Sequence, residues 1–114
     1  MNLTPIITIS LLLISNIFMT FAWYGHLKFK DSSIYIVVLA SWLIAFFEYC
    51  FQVPANRIGH GHFSAAELKT IQEVITLLVF AVFSVFYLHE PLSWNHVLGF
   101  VFIALGAFFI FHKF

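Results

Sequence analysis

Two glutamates lie inside strongly apolar stretches of this chain: Glu48 between Ile34 and Val53, and Glu73 in the run that follows Ser64. A carboxylate placed in hydrocarbon costs roughly 2.5–3.5 kcal/mol even on lenient insertion scales, so each is expected to face protein or water. Their neighbours share helical faces. Lys69, Gln72, Glu73 and Thr76 follow the i, i+3, i+4, i+7 spacing of one stripe. Ser41, Ala45, Glu48 and Gln52 form a small-and-polar counterpart, and Asn16 and Thr20 offer a third strip with Trp23 on the same side. Counted from Ala55 and Ser64, the two glutamates would lie ~10–14 Å inward on antiparallel helices, where they could meet. Two carboxylates at one depth repel, which favours exchange of a proton, cation or polar substrate. Gln52, Gln72 and Lys69 would tune their charge, Asn16 and Thr20 would line the path, and Trp42, too deep for an interfacial belt, would face the interior. A plainer reading pairs Lys69 with Glu48 or Glu73 and uses the amides as interhelical ties, each contributing ~0.6 kcal/mol on average.

These residues need a scaffold, and composition restricts it. Apolar residues make up 62% of the 114 and charged residues 9%, against about 25% charged in a soluble domain. Ten charged groups cannot cover a soluble protein of this size without large exposed apolar patches, so the chain reads as a membrane protein. Five Lys/Arg balance five Asp/Glu. That leaves no basic field for phosphates and excludes a nucleic-acid partner. The lone Cys50 allows no internal disulfide and reads as a small apolar filler, with no histidine nearby in sequence to activate it. His60-Gly61-His62 could join His26 or Glu67 around a metal, but two histidines in a glycine loop more simply face water, and no metal is assigned. Sixteen Phe, including Phe80, Phe83 and Phe86, read as lipid-facing or packing bulk. Nothing here calls for a cofactor or for enzyme chemistry.

A spanning helix needs ~20 mainly apolar residues. Four segments qualify, at about 5–27, 34–53, 64–88 and 94–111, forming one transmembrane domain over 1–114. Pro5 opens the first where its missing N–H does no harm, and no Lys or Arg precedes it as a cleavable signal would require. The second is expected to stop at Pro54, with 55–63 as a polar, glycine-containing loop. Ser64-Ala65-Ala66-Glu67 matches a capping box at the start of the third. His89-Glu90-Pro91 breaks the chain before Ser93 caps the fourth, where Gly99 and Gly106 make a small-residue seam for helix packing. A membrane sheet would need eight or more alternating strands closed into a barrel, which excludes strands. Arg57, Lys69 and Lys113 fall on one side of the membrane and Lys28 and Lys30 on the other. That split is too even for the positive-inside rule to orient the chain.

Trp42-Leu43-Ile44-Ala45-Phe46-Phe47-Glu48-Tyr49, Gln52-Val53-Pro54-Ala55-Asn56-Arg57 and Ile71-Gln72-Glu73-Val74-Ile75-Thr76 resemble a family of small bacterial four-helix membrane proteins. That family carries a domain-of-unknown-function label within the drug/metabolite transporter superfamily. Glu90-Pro91-Leu92, followed by Gly99 and Gly106, is similar to the way superfamily members enter and pack a terminal helix. The resemblance implies an all-α integral membrane fold, a small-multidrug-transporter-like bundle, in a bacterial inner membrane. Small multidrug exporters imply an antiparallel homodimer coupled to protons through a carboxylate in the first helix. Here that helix has no acidic residue, so coupling would fall to Glu48 or Glu73. The expected function is transport of a small organic solute or cation; the alternative is a non-transporting scaffold or accessory subunit with a structural polar core.

Overall fold

The computed structural model describes residues 3–112. Helix α1 covers Thr4–Tyr24, with Pro5 in its first turn, and tightens into a 3₁₀ turn at Gly25–Lys28. It is followed by α2 (Ile34–Gly59), α3 (Ala65–Phe86) and α4 (Trp94–Phe111). All four spans are long and apolar enough to cross a membrane, and there is no strand among the described residues. The fold is all-α with four spans. Lys113, counted above among the charges of one side, lies outside the described residues.

Polar side chains set where α2, α3 and α4 start. The Ser33 hydroxyl accepts the Tyr35 N–H at 3.3 Å. The capping box expected before α3 is complete: Ser64 Oγ accepts the Glu67 N–H at 3.1 Å, and Glu67 Oε1 accepts the Ser64 N–H at 2.9 Å. At α4, His96 Nδ1 accepts the Ser93 N–H at 3.1 Å. Helix ends were harder to place. The first helix, expected to reach 27, stays α-helical only to Tyr24, and the third stops at Phe86 rather than 88.

The largest difference is in α2, which runs through Pro54 to Gly59 instead of ending at 53. A proline inside a helix removes one backbone bond, but neighbouring helices can compensate for that in a membrane protein. Here Ala55 and Gly59 are buried. A Cβ on Gly59 would lie 2.6 Å from Thr8 Cγ2 and 2.9 Å from Leu68 Cδ2, so the extended end of α2 packs tightly between α1 and the start of α3. The polar loop contracts to residues 60–64.

Helix α1 is central. It packs along α2 on one side and α3 on the other, while α4 leans mainly on α3. Thr8, Leu12, Ser15, Asn16 and Thr20 of α1 are all buried. Toward α2, Phe18 stacks on Phe47 and Phe51, with centroids 6.0 and 5.7 Å apart. Toward α3, Phe21 meets Phe83 edge-on at 5.1 Å and Tyr24 meets Phe80 at 4.9 Å. Tyr87, at the end of α3, donates its hydroxyl to the Gly25 carbonyl at 3.1 Å, and Lys28 Nζ sits 4.2 Å from the centre of its ring. No residue of α4 is buried. Gly99 and Gly106 face open space, so the expected packing seam meets nothing among the described residues.

Candidate functional site

The buried stripe of α1 presents polar groups in two directions. Toward α2, the Ser15 hydroxyl donates to Gln52 Oε1 at 2.6 Å and lies 3.4 Å from Glu48 Oε1. Toward α3, the Thr76 hydroxyl donates to Asn16 Oδ1. Asn16 also donates from Nδ2 to its own helix at the Leu12 carbonyl, 2.6 Å away, and the Thr20 hydroxyl closes a similar 2.8 Å bond onto the Asn16 carbonyl. With both ends of the Asn16 amide bonded, the α3 side is a neutral, satisfied tie.

The α2 side differs because it contains a charge-bearing group. Glu48 is 6% exposed, and no ion pair reaches it among the described residues. It forms part of the wall of a cleft of about 460 Å³ between α1 and α2, together with Trp23, His26, Ser41, Trp42 and Tyr49. Helical spacing explains the arrangement. Ser41, Ala45, Glu48 and Gln52 recur at intervals of three and four on α2, and Met19, Trp23 and His26 do so on the end of α1 and its 3₁₀ turn. The result is a buried carboxylate in the wall of an opening lined by aromatic rings. Such walls favour a cation, because ring faces carry negative electrostatic potential.

Other expected site residues lie elsewhere. Glu73 does not meet Glu48. Its carboxylate takes Lys69 Nζ at 2.9 Å one helical turn away, with side chains 52% and 68% exposed respectively. Helix α1 provides the main packing surface for both α2 and α3. Lys69 and Gln72 line a separate groove of about 730 Å³ with Arg57 and His60. Trp42, expected in the interior, is 61% exposed and forms one wall of the Glu48 cleft. Cys50 is exposed rather than a buried filler, because it lies off the face that α2 turns to α1. Among the described residues no three metal-ligating side chains gather, and His26 lies at the opposite end of the bundle from His60 and His62.

Three participants were not anticipated. Ser15 bridges Gln52 and Glu48, Gly59 allows close approach, and Thr8 is fully buried beneath Gly59 with a hydroxyl that has no hydrogen-bond partner among the described residues. The signal was present in the seven-residue interval from Thr8 to Ser15, with Leu12 and Asn16 between and beside them, a small-and-polar face on α1.

No curated protein and no solved structure matches this chain. A family model described as "Putative member of DMT superfamily (DUF486)", DMT standing for drug/metabolite transporter, matches residues 8–111. With four apolar spans, the protein is a multi-pass membrane protein, and members of that superfamily are transporters rather than enzymes. By a match that spans all four helices, the chain belongs to this family of the drug/metabolite transporter superfamily.

Proposed function

We propose that the protein moves a small organic cation across a bacterial inner membrane, with Glu48 as the group that binds it and exchanges it for a proton. The observation that carries this reading is a buried carboxylate, without an ion-pair partner among the described residues, lining a cleft with aromatic walls. A membrane carboxylate closed off from water needs its charge balanced. Competition between a proton and a substrate cation for one carboxylate is the minimum device for coupling their movements. Trp23, Trp42 and Tyr49 supply ring faces for the cation, while Ser15 and Gln52 hold the carboxylate side of α2 against α1. Coupling is assigned to Glu48 alone, because Glu73 is already neutralised by Lys69.

The working unit is a homodimer. The molecule is 20 Å across its thinnest direction, about two helix diameters, which is too thin to enclose a solute path. Helix α4, with no buried residue and with Gly99 and Gly106 uncovered, is the surface a second copy would use, since small residues let helix backbones approach closely.

The test is proton flux in proteoliposomes driven by a panel of organic cations. Wild type should couple at least one cation to proton movement, and Glu48→Gln should abolish that coupling while keeping its helical content and oligomeric state. If wild type moves no solute and Glu48→Gln fails to assemble, the polar core is structural and the protein is a scaffold.

A further inference from the structure

The groove between the last turns of α2 and the first turns of α3 combines two kinds of surface. Val53 and Leu68 are apolar, whereas Arg57, His60, Lys69 and Gln72 bring polar and cationic groups to the same opening. Helix α2 has 26 residues, roughly 39 Å at 1.5 Å per residue, against ~30 Å of hydrocarbon. Its last turns, which carry Arg57, therefore reach the depth of lipid headgroups. Lys69 lies on the facing helix, only about 6 Å along the axis from its first residue.

Charge is only partly cancelled here. Arg57 is exposed and makes no ion pair among the described residues. Lys69 is held by Glu73 at 2.9 Å, but both side chains stay more than half exposed, so a stronger anion can compete for the ammonium. Glu67 is not among the residues that line the groove, and its Oε1 accepts the Ser64 N–H. Two cations on separate helices, at phosphate depth and above an apolar slot, form the kind of basic interhelical pocket that takes acidic headgroups. A guanidinium also matches phosphate oxygens in a forked geometry.

We propose that this groove is a binding site for an acidic phospholipid, its phosphate between Arg57 and Lys69 and an acyl chain along Val53 and Leu68. Free phosphate would satisfy the same cations but would leave the apolar walls uncovered. This site is independent of the Glu48 cleft and of the transport reading.

Titrating the purified full chain in detergent with phosphatidylglycerol, phosphatidylcholine and inorganic phosphate, with bound species read by native mass spectrometry, tests the proposal. Phosphatidylglycerol should bind saturably and be retained in preference to phosphatidylcholine, and inorganic phosphate should not displace it. At about fivefold per cation, the double variant R57Q/K69Q should weaken phosphatidylglycerol binding on the order of 25-fold. Glu73→Gln, which frees Lys69, should strengthen it. Equal retention of the two lipids, unchanged binding in R57Q/K69Q, or displacement by equimolar phosphate would each overturn the proposal. If circular dichroism shows that R57Q/K69Q does not fold, Glu73→Gln decides: no gain in phosphatidylglycerol affinity overturns it.

Discussion

The two sides of α1 hold their neighbours with similar numbers of polar atoms but to different effect. On the α3 side, Asn16 and Thr76 form a neutral bond, and each end of the Asn16 amide is used. On the α2 side, the Ser15 hydroxyl is donated to Gln52, and Glu48 sits a longer 3.4 Å away, with its remaining surface toward the cleft. A buried polar group whose bonds are all internal does one job, which is to fix helix position. A buried group with spare capacity facing an opening can take a ligand. Charge and hydrogen-bond satisfaction together separate tie from site.

The largest expected effect comes from the spare group. Glu48→Gln keeps the shape of the side chain but removes the charge, and should weaken binding of a quaternary ammonium probe on the order of 100-fold, as expected for loss of one member of a buried charge pair. Isothermal titration would read this, and unchanged affinity would remove the distinction between the two sides. Next in size is Gly59→Ala. Its new Cβ would press against the stiff, β-branched Thr8 and against Leu68, costing about 1–3 kcal/mol as overpacking does. Unfolding in mixed micelles would measure the loss. Thr76→Val removes the donor on the α3 side and should cost about 0.6 kcal/mol, and at most ~1.7, with cation binding unchanged. A fall in affinity as large as that of Glu48→Gln would show that the two sides work as one. The smallest change is expected for Thr8→Val, which is nearly isosteric and removes a hydroxyl that has no partner. It should be neutral or slightly stabilising in the same unfolding measurement.

Much of the scaffold was legible because membrane burial is a matter of length and polarity. Apolar runs bounded by polar loops located four spans, and Ser64 with Glu67 announced the third to the residue. The end of α2 was not legible, because Pro54 is a local signal and the burial of Ala55 and Gly59 that overrides it depends on helices distant in sequence. The site was legible in part. Spacing picked out Glu48 and Glu73 as acidic residues within two apolar spans. Which way each one faces depends on which helices are neighbours, and a short loop between α2 and α3 suggests adjacency that α1, packed against both, takes for itself. Residue type pointed to Glu48, Gln52, Asn16 and Thr76. Ser15 was passed over because a serine in a hydrophobic helix costs little and so carries little signal, although its hydroxyl is the atom that joins α1 to the Glu48 side of α2.

The left-handed backbone at His89, with φ of 59°, turns the chain from α3 into the connection to α4, none of whose residues is more than part-buried. The sequence of α4 is therefore under little obligation to the other three helices. Substitutions along it can accumulate without a folding penalty in the rest of the bundle, leaving lipid thickness and whatever lies beside it in the membrane as the forces that shape it. Severing the chain between Glu90 and Ser93 should accordingly leave the melting of the first three helices where it was. The same loose attachment makes α4 the part of the molecule free to evolve new company.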